Sequence, residues 1–416
     1  MAEGSAKAMS EVPAPLSAKD FFTPEFLKDP YPVYRRYLDG CGLQFLTLHG
    51  GIWAAFRHAD CATFFRDPRL SAKRTGTLID EFPIEKQQEF AELARTLSLW
   101  MLFFDAPEHT RLRKLMNKGF SPAAIESLRP QVEKIVDRLL MPLRKNDRID
   151  ILPQFAHQLP AYVIAEMLKV PESLHQQFIH WSNAIATLFG NPYRGMDDFV
   201  AAQQAVHGLT SYFREAVALR LKQKENDLIG LLMEIEEDGD VLTEEELYAQ
   251  CVMLLFGGHE TTRNLIGNGL YTLLRQPEHA AELRDNPELM RSAVEELLRY
   301  ESPVQYTGRM VLEDFEFCSV QARRGQEIIF MLGAANRDRN QFKDPDRLDL
   351  GRAKNPHLAF GAGAHFCIGN QLARLEGQVA ILKILQEFPE IRSVSAEPEW
   401  LPNFSFRGLK TFLVET

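Results

Sequence analysis

Cys367 lies in the stretch FGAGAHFCIG, Phe360 to Gly369, with three glycines and a histidine around it. Most isolated cysteines are small buried hydrophobes. Here the following residues, NQLARLEGQVAILKILQEF, have the composition of a long helix. That places the thiol beside orphan backbone amides and the positive end of a helix dipole, where a thiolate is favoured. A thiolate in a glycine loop at a helix start is a metal ligand or a nucleophile. His365 and Cys367 could open a zinc site, but only His357 is near as a further ligand, and zinc takes three or four. Periodicity does not choose between ligand and nucleophile.

A second chemically capable group is GGHETT, Gly257 to Thr262. It interrupts an apolar run, Cys251 to Phe256 before it and Leu265, Ile266, Leu270 and Leu273 after it. Thr243 and Glu246 have the spacing of a capping box and Pro277 limits the far end, which predicts one helix over 244–275. Two glycines inside a helix cost up to about 1 kcal/mol each relative to alanine, and a buried acid and hydroxyls add desolvation. The plain explanation is a helix that surfaces or kinks, with Thr261 bonded back to the Gly257 carbonyl. The chemical one is a widened turn where Gly257 and Gly258 admit a small molecule. Glu260 and Thr261 would then line different parts of one groove as a proton relay.

Two charged patterns share helix faces. Glu296 and Arg299 stand at i, i+3, the spacing of a common solvated salt bridge. In DAPEHTRLR, Asp105 to Arg113, His109 and Arg113 are four apart; they form either a surface face or a paired cationic grip on a carboxylate or phosphate.

The elements that must position these residues are mostly helical. Apolar spacing predicts helices over 108–120, 122–144 and 199–224, besides the long central one. Strand-like runs are short: GIWAAF (51–56), RMVLE (309–313), EIIFML (327–332) and TFLVE (411–415). The fold class is mainly α with minor β, without repeating βαβ units. No linker, charge block or repeat divides residues 19–416, which read as a single domain after a disordered tail at 1–18. The net charge of −10, with acids and bases mixed, argues against nucleic acid as the partner. Five scattered cysteines without a C-x-x-C pair suggest neither a disulfide framework nor a cysteine-rich zinc site. With no leader-like apolar segment and no run of about 18 apolar residues, the expectation is a soluble, cytoplasmic protein without a membrane anchor.

In this order and spacing, the patterns resemble the bacterial soluble cytochromes P450, the haem-thiolate monooxygenases. FGAGAHFCIG is similar to their cysteine-ligand loop, F-G-x-G-x-H-x-C-x-G, at every defined position. GGHETT resembles their oxygen-activation motif, Glu296-x-x-Arg299 their E-x-x-R, and PEHTRLR, ANRD (335–338) and DPDRL (344–348) fall in the family's order. Two departures, Arg339 where proline is frequent and Leu348 where phenylalanine is common, touch supporting structure.

The resemblance implies the family's triangular prism, with a long central helix over haem b (iron protoporphyrin IX) and small β-sheets. It makes Cys367 the metal ligand, packs Phe360 on the haem, and places His109, Arg113, Arg309 and His365 on its propionates, with Gly361 and Gly369 shaping the loop. Gly257 and Gly258 leave room for O2, Thr261 hydrogen-bonds it, and Glu260 relays protons. Glu296, Arg299 and Arg347 form a structural ion-pair triad. Met253, Phe256, Gln305 and Phe406, together with residues 70–104 and 175–200, line the substrate pocket. The implied activity is hydroxylation or epoxidation of a lipophilic small molecule by a monomer, using O2 and two electrons. Those electrons come from NAD(P)H through a ferredoxin reductase and a ferredoxin, which docks near Lys114, Arg352, Lys354 and Arg374. The substrate is a polyketide or other secondary metabolite, with fatty acids and terpenoids or steroids as alternatives. The rival functions are an H2O2-driven peroxygenase, a non-catalytic haem-binding protein, and a cysteine-nucleophile enzyme without haem.

Overall fold

The central helix forms as Glu244–Leu274 and carries much of the site. The computed structural model describes residues 21, 23–40, 42–47, 51–74, 82–190, 194–236, 239–394 and 397–416; the tail expected at 1–18 lies outside them. Reciprocal capping bonds start the helix: the Glu246 amide donates to Thr243 Oγ1 (3.2 Å), and the Thr243 amide to Glu246 Oε2 (2.9 Å). The helix is buried around nearly its whole circumference, as expected of an element that other helices enclose. It stays α-helical through GGHETT, so the widened turn expected there does not form.

The helices that build the site are α1 (Glu108–Asn117), α2 (Pro122–Glu126), α3 (Arg129–Leu140), α4 (Gln158–Met167), α5 (His175–Gly190), α6 (Met196–Lys222), α7 (Glu244–Leu274), α8 (Met290–Tyr300) and α9 (Asn370–Glu387). The segment read as one helix over 122–144 is divided into α2 and α3. Pro130, in the first turn of α3, has no amide with which to continue a helix from α2. Around α7 pack α4, α5, α6, α8 and α9, and their apolar faces form the largest core cluster.

Ten strands are described: β1 (Leu43–Leu46), β2 (Ile52–Ala55), β3 (Leu70–Ser71), β4 (Arg148–Asp150), β5 (Tyr306–Val311), β6 (Phe315–Phe317), β7 (Val320–Ala322), β8 (Glu327–Met331), β9 (Arg392–Ser393) and β10 (Leu413–Glu415). The main sheet has the order β1-β2-β8-β5-β3, with only the β2–β8 pair parallel. Its β5–β8 register, Arg309 opposite Ile328, fixes where Arg309 leaves the sheet. A three-stranded sheet β4-β10-β9 and the β6–β7 hairpin complete the β portion. All four expected strand runs contain a strand; the shortest strands, such as β3 and β9, carry too few residues to show alternation.

Cys61, Cys251 and Cys367 are free, whereas Cys318 is disulfide-bonded, which sequence spacing gave no sign of. Among the described residues no helix is long and apolar enough to cross a membrane.

Candidate active site

The cysteine loop is a wrapped turn ahead of α9. Gly361 and Gly363 adopt φ of 68° and 70°, a region costly for side-chain-bearing residues. At Gly363 a Cβ would also lie 2.7 Å from the Phe65 carbonyl oxygen. The turn brings the Cys367 amide to the Phe360 carbonyl (3.0 Å), and Asn370 Nδ2 donates to the Cys367 carbonyl (2.7 Å). Cys367 lines a large cavity between α7 and the loop. Burial pushes the thiol up, while a bond from the Gly369 backbone and the charges of Arg113 and Arg374 act the other way. Among the described residues no three His, Cys, Asp or Glu side chains cluster to hold a bare metal ion. The zinc reading therefore lapses.

Four cation-capable residues meet at the cavity wall, as expected: His109 and Arg113 from α1, Arg309 from β5 and His365 from the loop. The two imidazole rings lie 3.9 Å apart, centre to centre. Burial, then Arg309 and His109, brings His365 down to about 2. Burial, followed by Arg113 and Arg309, also lowers His109. Burial, followed by Arg74, brings Arg309 down to about 9. Arg74 is thus a further cation of this cluster that the sequence reading missed. It donates to the Gly308 carbonyl (3.1 Å), beside Arg309, and stacks over Phe103 at 4.9 Å. Only the fold brings the loop after β3 to β5, so no local motif marks it.

On α7, Gly257, Gly258 and Thr261 line the cavity and Glu260 does not. A Cβ at Gly257 would meet nothing within 4 Å, whereas at Gly258 it would approach Ile164 Cδ1 on α4 at 2.9 Å. Gly257 opens the cavity and Gly258 serves close helix packing. Thr261 Oγ1 donates to the Gly257 carbonyl (2.8 Å), the bond of the plain explanation, while lining the cavity as well. Glu260 is turned away and buried, accepting from Arg263 Nη1 (2.7 Å) and Asn264 Nδ2 (3.3 Å). The expected shared groove for Glu260 and Thr261 is therefore corrected: a helical step of ~100° is enough to put the acid behind the cavity wall. His259 is structural, its Nε2 bonded to the His157 carbonyl (2.9 Å) and Nδ1 to Ser182 Oγ (3.0 Å).

The ion-pair triad also needs correction. Glu296 and Arg299 are fully buried and pair at 2.8 Å. The third member is Arg352, whose Nε lies 3.0 Å from Glu296 Oε2. Arg347 has an exposed side chain and contributes its carbonyl, which accepts from Arg299 and Arg352. Two of the cations expected to dock a ferredoxin are consequently engaged: Arg352 with Glu296 and Arg374 with Glu295.

Of the expected pocket residues, Met253 and Phe256 line the cavity; Gln305 and Phe406 do not. Gln305 is locked in the core, accepting from Tyr34 Oη (2.8 Å) and donating to the Ser302 carbonyl (2.7 Å). Phe406 stands one ring behind, 6.1 Å from Phe256. Trp100, Phe189 and Phe256 pack together with centroids 5.1–5.8 Å apart, and of the three Phe256 lines the cavity. A second residue missed from sequence is Glu376 on α9, which also lines the cavity. It is buried, its Oε2 has no protein partner, and burial alone raises its carboxyl well above the ordinary value.

These residues fit haem b. The cationic cluster has no ionised carboxylate on the cavity wall, so it suits a ligand bringing its own two carboxylates. The single thiol suits a metal whose other ligands the ligand itself supplies. Comparison with known proteins agrees. The cytochrome P450 family model matches residues 157–398, and the chain belongs to that family of haem-thiolate monooxygenases. It is similar to the biotin biosynthesis cytochrome P450 of Bacillus subtilis (strain 168), 36% identical over 400 residues, covering 93% of this chain and 96% of the relative. It is also similar to the polyketide biosynthesis cytochrome P450 PksS of the same organism, 37% identical, covering 87% and 88%. A solved structure of P450BioI in complex with hexadec-9Z-enoic acid ligated acyl carrier protein superposes with a TM-score of 0.87, at 35% identity over 94% of this chain and 99% of that one.

Proposed function

We propose that this protein hydroxylates or epoxidises a lipophilic small molecule of biosynthetic origin, taking two electrons from a ferredoxin. The observation that carries the reading is Cys367 and Thr261 on the walls of one cavity whose remaining lining is largely apolar. Haem b bound there supplies the redox chemistry of O2 activation. The chain's own residues do the rest. Arg113 and Arg309 neutralise the propionates, and the His109 and His365 imidazoles orient them by hydrogen bonds; Gly257 leaves space beside the helix. Met253, Phe256 and Val304 exclude water and select an apolar substrate. Glu260 holds a proton-accepting carboxylate one residue from Thr261, fixed by Arg263.

Fatty acyl and polyketide chains fit this apolar chamber, whether free or tethered to a carrier protein as in the P450BioI complex. The pairing of Glu260 with Arg263 favours a second reading, H2O2-driven oxygenation, because peroxide brings its own protons and has no need of the acid. The purified protein is expected to show a Soret band and a thiolate-type carbon monoxide spectrum that Cys367→His abolishes. Absence of the Soret band, or survival of that spectrum in the variant, would overturn the haem-thiolate reading. Thr261→Ala is expected to uncouple ferredoxin-driven electron use from product severalfold while sparing H2O2-driven turnover. Unchanged coupling would remove Thr261 from proton handling.

A further inference from the structure

Arg374, seven residues after Cys367, is held by an arrangement that the oxygenation chemistry above does not use. Its Nε and Nη2 donate to Glu295 Oε1 and Oε2 at 2.5 and 2.9 Å, a two-point carboxylate pair. Its Nη1 donates to Asn370 Oδ1, and Asn370 Nδ2 in turn holds the Cys367 carbonyl at 2.7 Å. Its guanidinium carbon stands 4.6 Å from the centre of the Phe360 ring, whose carbonyl accepts from the Cys367 amide. One cation therefore touches both ends of the loop that presents the sulfur.

The counter-charge is equally well fixed. His357 Nδ1 accepts from the Ala359 amide (3.2 Å), which leaves Nε2–H to donate to Glu295 Oε2 (3.1 Å). Burial alone would raise Glu295, but the bonds from His357 and Arg374 outweigh it and bring the carboxyl down to about 2. The pair lies in a surface groove with Arg129, Arg291 and Gln371, and about a fifth to a quarter of each side chain is exposed. Mostly buried and joined at two points, the pair keeps one fixed geometry beside the sulfur loop.

We propose that the Arg374–Glu295 pair sets the reduction potential of the Cys367-ligated haem, with Arg374 as a positioning residue and Glu295 as its counter-charge. The inference rests on the haem-thiolate reading. A cation beside the sulfur loop stabilises the state with one more electron, and a carboxylate opposes it.

The test is redox titration of the holoprotein. Arg374→Gln should lower the potential, Glu295→Gln should raise it, and the double variant should return near the parent value. Arg374→Lys keeps the charge and should stay closer to the parent than Arg374→Gln does. A purely structural role would move both single variants the same way; that result, or potentials unchanged in both, would overturn the proposal. The thiolate-type carbon monoxide spectrum, recorded on every sample, separates this outcome from failure of the haem reading. That failure would already show in the parent protein.

Discussion

The two sides of the cavity are built on opposite principles. On the cysteine side, charged groups are locked in pairs: Glu296 with Arg299 and Arg352, Glu295 with Arg374 and His357. On the Thr261 side the wall is largely apolar, and the acid next to Thr261, Glu260, is held outside it by Arg263. The first side must hold one sulfur in one place, and over-determined polar networks do that. The second must admit different occupants, which fixed pairs would hinder.

The contrast is tested most severely at the buried triad. Removing Arg299, with no exposed side-chain surface, leaves buried Glu296 with Arg352 as the cation that remains, and Arg299→Leu should cost about 3–5 kcal/mol in urea unfolding. Arg352→Leu should follow the same direction, whereas Arg347→Ala should stay within about 0.5 kcal/mol. Equal losses at Arg347 and Arg352 would restore the sequence assignment.

Next in size is Glu376 on α9, the one acid among the described residues of the cavity wall, whose Oε2 has no partner and which thus departs from the pairing of the cysteine side. Replacing a buried unsatisfied acid by leucine should stabilise by about 1–3 kcal/mol at pH 8, read by thermal or urea unfolding. The pH dependence gives the sign. Above about 4.5 the unfolded chain loses this proton while the folded one keeps it, so stability falls as pH rises. Glu295, brought down to about 2, contributes stability above about 4.5 that is lost as pH falls towards 2. Glu376→Leu should flatten the alkaline slope and Glu295→Gln the acid one. Identical slopes in both variants would mean that the paired and the unpaired acid are not electrostatically distinct.

The smallest effect separates the two helix glycines. Gly257→Ala places its methyl in open space and should gain up to about 1 kcal/mol of stability while perturbing ligand-induced spectra. Gly258→Ala must displace Ile164 and should show no such gain. If both variants gained equally, Gly258 would lose its packing role.

Legibility in the sequence followed the same division. The cysteine loop, the capping box of α7 and the Glu296–Arg299 spacing are local patterns, and the structure retains all three. Arg74, Arg352 and Glu376 act through partners or cavities distant in sequence, so their types alone carry no sign of it. Gln305 and Phe406 fail for the converse reason: being near the chamber in sequence order does not decide which face of a loop turns inward. Glu260 was placed correctly on its helix but on the wrong side of the wall, an error of one ~100° step.

The bond from Thr261 to Gly257 also sets what the hydroxyl can offer. It has one hydrogen and two claimants. While that hydrogen is spent on the helix carbonyl, the cavity meets only the oxygen's lone pairs, so a guest that donates is welcomed and one that accepts must wait. Turning the hydrogen inward forgoes one neutral hydrogen bond, about 1 kcal/mol, and side-chain rotations are completed in picoseconds to nanoseconds. Thr261 is thus a two-position contact whose setting the guest itself selects, far faster than any guest can leave.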